Sequence, residues 1–227
     1  MHAYPPVVPL RFGFLASHGG SGMRAVVDAC RAGALRAIPG VLITNNVNSE
    51  AMVWAQACGV SCVHLSGRTH PSPVDLDRAI TEALVAAGAN LIVLSGYMRK
   101  LGPEVLARFG ARILNVHPAL LPRHGGQGMY GDRVHAHVLS SGDTTSGATV
   151  HLVDREYDTG PIVAQQSIPV LDGDTIETLG QRVRSAEQTL LVATLRGIEA
   201  GEIDLDRVYR SQFLNETAGV RGEDPPS

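Results

Sequence analysis

Cysteine is scarce in this chain of 227 residues: Cys30, Cys58 and Cys62 are the three it has. An odd, scattered set with no CxxC excludes a disulfide framework and reads as free thiols in a reducing compartment. Runs of one charge are missing too. Lys and Arg number 19 against 22 Asp and Glu, for a net charge of −3. That balance argues against a nucleic-acid surface or an anionic membrane partner. It leaves room for a small phosphorylated ligand, because backbone N–H groups can hold phosphate without lysine. No apolar run approaches the roughly 20 residues that span a bilayer. The start, "MHAYPPVVPLRFGFLAS", lacks a basic n-region and a long apolar core, so it does not read as a signal peptide. A cytoplasmic protein is expected. Repeats and linkers are also missing, and 44% hydrophobic content suits one large domain.

What is present is alternation. Apolar runs at 10–17, 38–46, 60–65, 89–96 and 111–117 read as strands, and the amphipathic stretches between them read as helices. Ser72 before Pro73 is the expected N-cap of the third helix. Strands that are apolar on both faces point to an open, mostly parallel, Rossmann-like α/β sheet with helices on both sides. In such sheets the C-terminal strand ends share one rim, where ligands bind. Residues 120–133 carry Gly125, Gly126, Gly128 and Gly131 with few apolar anchors and should form a long mobile loop. A short helix follows. Then 146–154 and 161–170 read as an antiparallel edge pair, and 175–201 as one long amphipathic helix. The last residues, from about 214, have the composition of a disordered tail.

Three features carry candidate chemistry. "GSGMRA" at 20–25 fits G-x-G-x-x-A after a strand, but the second strand ends in "TNN" without the carboxylate that would hold a dinucleotide ribose. A phosphate cradle of Gly20, Ser21 and Gly22 at a helix N-terminus is the better functional reading, beside a plain structural turn. In "ILNVHPALLP", Asn115 and His117 lie two residues apart on a strand, so their side chains share one face. Pro118 keeps His117 extended. An amide and an imidazole aimed at one point make an oxyanion site. A turn at "REYDTGPI" offers Asp154, Glu156 and Asp158, equally eligible by position. His124, Asp132, His135 and His137 form a weaker, metal-like alternative. On a helix, i and i+2 diverge, and no HExxH or Cys-rich spacing exists, so no metal is expected.

Taken together, "SGYMRKLGPEVL", "NVHPALLP" and "SGATVHLVDREYDTGPIV" resemble the folate-dependent formyltransferase family, over about residues 10 to 200. The resemblance implies that family's fold, with residues 10–117 forming the phosphate and nucleotide side and 118–201 completing the folate site. It implies transfer of a formyl group from 10-formyltetrahydrofolate to the amine of glycinamide ribonucleotide, in purine biosynthesis, without a metal. Asn115, His117 and Asp158 fall on the family's catalytic trio, which singles out Asp158. Gly20, Ser21, Gly22 and Glu187 fall on its nucleotide-binding positions. Met98, Arg99 and Leu101, with Val153 on the same wall, fall on its folate site, and His151 falls beside the catalytic Asp. Two positions depart from the common pattern: Gly22 where many members carry Asn, and Asn46 where Lys is frequent. The family also contains a hydrolase that uses water as acceptor and a transfer-RNA formyltransferase with a basic extra domain. Outside it stand a nicotinamide oxidoreductase and a non-catalytic binding module. The implied partners are small-molecule substrates, and a homodimer is compatible with the resemblance.

Overall fold

The structure, a computed structural model, describes residues 9–211; the tail expected from about 214 lies outside the described residues. Seven strands form one sheet in the order β3-β2-β1-β4-β5-β6-β7. In chain order these are β1 (Arg11–Ala16), β2 (Ile38–Thr44), β3 (Ser61–His64), β4 (Leu91–Leu94), β5 (Ile113–His117), β6 (Thr145–Leu152) and β7 (Ile162–Pro169). The helices are α1 (Ser21–Arg31), α2 (Glu50–Ala57), α3 (Pro73–Ala86), α4 (Pro103–Phe109), α5 (Asp132–Ser140) and α6 (Ile176–Glu199).

Strands β3, β2, β1, β4 and β5 run parallel. Strands β6 and β7 then add antiparallel. The fully apolar strands are explained by burial on both faces. Phe12, Phe14 and Leu114 pack with Met23 and Val26 of α1 and Leu191 of α6. Leu15, Ile92 and Ile113 pack the other way, with Leu84 of α3 and Val105 of α4. Successive residues of a strand face opposite layers, so a strand covered on both sides needs apolar groups at every position.

The helix ends follow local chemistry. Ser72 caps α3, its side chain accepting from the Asp75 N–H. Helix α4 has no cap of its own; Asp77 of α3 accepts from Glu104 N at 2.7 Å and Val105 N at 3.2 Å, which anchors the 98–101 segment that leads into it. Helix α6 begins with a reciprocal Thr175–Thr178 capping box. The glycine-rich stretch at 120–131 is a loop, as expected, and it is tied to the rim at several points.

The candidate active site

The chain order turns back between β1, which pairs with β2, and β4. Open α/β sheets leave a crevice outside the strand C-termini at such a switch point. The loops after β1 and β4 meet there: Ser17 N donates to Gly96 O at 3.1 Å, and Met98 N donates to Ser17 Oγ at 2.8 Å. Gly20 closes the β1 turn with φ 63°, a left-handed value that glycine adopts without steric cost. It starts α1 with no side-chain cap. Backbone N–H groups of the first turn are therefore presented at the positive end of a helix, a ready anion site. Met23 N is already taken by Ser95 Oγ at 2.9 Å. The uncommon glycine at 22 has a packing reason: a Cβ there would lie 3.2 Å from both Leu191 Cδ2 and Ser95 Oγ. Asn46, the other departure, ends in an Asx-type turn to Asn48 N.

Asn115 and His117 point to one side of β5, while Leu114 and Val116 join the opposite core layer. His117 is 2% exposed. Its Nδ1 lies 3.4 Å from Asp158 Oδ2, and its Nε2 donates to the backbone carbonyl of His124 at 2.7 Å. Both neighbours are acceptors, so a ring carrying hydrogen on both nitrogens satisfies both. Asp158 Oδ2 also accepts from Gly126 N at 3.0 Å, and Oδ1 lies 3.5 Å from His151 Nε2. Burial works against the Asp158 carboxylate, but His117 and the Gly126 amide outweigh it and hold its carboxyl well below the usual range. The three residues expected to act together thus converge from β5 and the β6–β7 turn.

His151 adds a link. Its Nδ1 donates to Leu152 O at 2.8 Å, which leaves Nε2 to accept from Asn115 Nδ2 at 3.1 Å. With this proton arrangement the Asn115 amide is fixed by a neighbour on the adjacent strand. Asp154 and Glu156 are used otherwise: Asp154 accepts from Thr159 Oγ1 and Glu156 N, and Glu156 pairs with Lys100 at 3.1 Å.

Glu187 sits midway along α6. Its surface is partly accessible, yet it lies deep enough among packed atoms that desolvation pushes its carboxyl up to about 7, against the opposing pull of His117 and Arg184. Leu101 is buried with Val153 packed against the same cluster, whereas Met98 is 42% exposed. The loop between those two residues includes Arg99. The metal-like histidines separate: His135 is buried against Gly180 of α6, while His137 turns out to His124. Among the described residues no cluster of His, Cys, Asp and Glu has the arrangement of a metal site. Sequence reasoning took His124 only as part of a metal-like alternative, and it missed the roles of the His124 carbonyl and the Gly126 amide, whose signal is carried by backbone atoms, and Arg184, one helical turn before Glu187.

Residues 10–195, which hold this doubly wound rim with its strand-end Asn-x-His and turn Asp, match the model of the Formyl transferase family. The chain belongs to that family. Within it, the chain is 42% identical to the phosphoribosylglycinamide formyltransferase of Mycobacterium tuberculosis over 196 residues, 86% of this chain and 87% of that protein. It is 37% identical to the chloroplastic phosphoribosylglycinamide formyltransferase of Arabidopsis thaliana, over 80% of this chain and 63% of that one. The solved glycinamide ribonucleotide transformylase 1 of Symbiobacterium toebii superposes with a TM-score of 0.79 at 34% identity, covering 85% of this chain and 89% of its own.

Proposed function

We infer that this chain transfers the formyl group of 10-formyltetrahydrofolate to the amine of glycinamide ribonucleotide, giving formyl-glycinamide ribonucleotide and tetrahydrofolate in purine biosynthesis. The observation that carries this reading is Asp158 placed against His117 and His151 at the rim of a formyltransferase fold, with Asn115 on the same face of β5 as His117 and bound to His151. The amine attacks the formyl carbon, and the carbonyl oxygen becomes an oxyanion. Asn115 N–H₂ and the His117 ring N–H donate to it. One such donor contributes about 2.7–4 kcal/mol of barrier lowering. The Asp158 carboxylate balances the imidazolium and orients the water that carries the amine proton to the departing folate nitrogen. The carbon–nitrogen bond to folate then breaks and the oxyanion collapses to the new formamide. Holding amine and carbon about 3–3.5 Å apart supplies much of the rest. Gly20, Ser21 and Gly22 take the nucleotide phosphate on their N–H groups. Met98, Arg99, Leu101 and Val153 form the wall for the pterin.

Glu187 binds the nucleotide as a carboxylate, and its raised pKa makes this visible. A raised carboxyl favours the folded protein below the ordinary carboxylate range, and that advantage is lost as pH rises through about 7. Hydrogen bonds from bound nucleotide favour the ionised form, so affinity should rise with pH across that value. Glu187→Gln is expected to raise the apparent KM for glycinamide ribonucleotide about tenfold at pH 8, flatten its pH dependence and leave the folate KM unchanged. A folate-only effect would contradict the assignment.

The activity is tested by following deformylated-folate absorbance with and without glycinamide ribonucleotide. Amine-dependent signal is expected; amine-independent signal would mean a hydrolase, and silence a binding module. Among the described residues no helix is long and apolar enough to cross a membrane. The free thiols of Cys30, Cys58 and Cys62 support a reducing, cytoplasmic setting, with the two small-molecule substrates as partners.

A further inference from the structure

Among the described residues other than glycine, His124 and Asp158 alone have left-handed backbones, with φ of 56° and 59°. Such a conformation is strained and persists where surrounding contacts over-determine it. Both residues touch the same ring. Asp158 faces Nδ1 of His117, and the carbonyl of His124 accepts from Nε2. The side chain of His124 is what its backbone hangs from. Nε2 of His124 donates to Asp143 Oδ2 at 2.6 Å, and Nδ1 lies 2.7 Å from Nδ1 of His137. The second Asp143 oxygen takes Arg123 at 2.6 Å. The His124 and Asp143 side chains are only 7% and 11% exposed. Residues from the glycine loop, from α5 and from the turn after it therefore close on one side chain, whose main-chain oxygen faces the reacting centre.

We propose that His124 and Asp143 are positioning residues for His117: the Asp143–His124 bond holds the His124 carbonyl as a resident acceptor that keeps the His117 ring aligned, with its Nε2–H aimed, until the formyl oxygen replaces it. The idea rests on the formyl-transfer reading and adds a step to it. Both donors have partners within the protein, Asn115 in His151 and His117 in the His124 carbonyl. A carbonyl is a weak competitor for an imidazolium N–H once an oxyanion forms, since charged acceptors make hydrogen bonds roughly twice as strong. The donor is thus aimed before substrate arrives and released as charge develops. Every group facing the ring is accounted for: Asp158 and the His124 carbonyl touch it, and His151 reaches it through Asp158. Glu187 and His135 lie close enough for their charges to be felt.

The test combines kinetics with nitrogen-15 NMR of ring-labelled histidine. Wild type should show a slowly exchanging, downfield His117 Nε2–H resonance, assigned by its loss in His117→Ala. In Asp143→Ala it should disappear, with kcat down about tenfold and both KM values within about twofold. Asp143→Asn keeps an acceptor for His124 Nε2–H and should restore most of the turnover and the resonance. His124→Gly, which adopts φ > 0 freely and keeps the fold reachable, should match Asp143→Ala; adding Asp143→Ala to it should cost nothing more. A resonance that survives in Asp143→Ala and His124→Gly would overturn the proposal. So would its loss with unchanged kcat, or losses that add. If wild type carried the resonance but lacked amine-dependent transfer, the function would fail while the resonance still decided the geometry.

Discussion

Replacing His117 with alanine is expected to lower kcat about 10³-fold while both substrates still bind. The substitution removes the proposed oxyanion donor, and it also removes the group that Asp158 and the His124 carbonyl share. Two losses of different kind follow. The oxyanion keeps only Asn115, so the chemical step slows in single-turnover experiments. The loop at 124–126 keeps its tie to Asp158 through Gly126 N but loses the one through His124 O. A secondary signature separates this from general damage. His117 pulls the Glu187 carboxyl downward against the larger effect of burial. Without it, Glu187 should titrate higher, and the rise of nucleotide affinity with pH should move to more alkaline values. Calorimetric binding against pH measures that shift. Turnover within about tenfold of wild type would remove His117 from the mechanism.

The strands were legible because a sheet covered on both faces demands unbroken apolar runs, and 41–43 and 91–94 are apolar at every position. The edge pair is read from alternation at 146–154, yet β6 is buried at every position after Thr145, and it is β7 that alternates between exposed and half-buried positions. The Asn115/His117 pair followed from strand periodicity alone. Asp158 did not. Asp154, Glu156 and Asp158 are the same chemistry at the same turn, and only resemblance to the family chose among them. Three-dimensional structure separates them by what they meet: Asp154 a local threonine, Glu156 a lysine, Asp158 two buried imidazoles and an amide. The His124–Asp143 contact was out of reach for a different reason. It spans α5, so it exists only after that helix has turned the chain back. In the sequence, attention falls on His135 and His137, which share a helix but face apart. Gly22 shows the same limit. As a letter it is a missing side-chain contact; in the fold it is a tight position, where a Cβ would come within 3.2 Å of Leu191 and Ser95.

Asp158→Asn is expected to be as damaging as the loss of the imidazole, about 10³-fold in kcat, although it changes a single atom. His117 Nδ1 and Gly126 N donate at Oδ2, and Oδ1 lies 3.5 Å from His151 Nε2, whose lone pair takes Asn115. An amide offers one oxygen. If that oxygen serves His117 and Gly126, the new N–H₂ faces His151 Nε2 and competes with Asn115 for its lone pair. Asn115 is then freed from its tether, and the imidazolium loses its counter-charge. If the amide turns the other way, N–H₂ meets the His117 and Gly126 hydrogens and the loop is pushed off. Either orientation spoils one of the two oxyanion donors. The pH dependence of stability should change as well. The carboxyl is held below its unfolded value, so its contribution to stability is present above the ordinary carboxylate range near ~4 and is lost as pH falls towards its folded value. Wild type should therefore lose more stability than Asp158→Asn between neutral pH and strong acid, a difference of about 1–3 kcal/mol by denaturant unfolding. Equal acid sensitivity, or near-normal turnover in the amide variant, would show that this carboxylate neither anchors the loop nor supports the imidazolium.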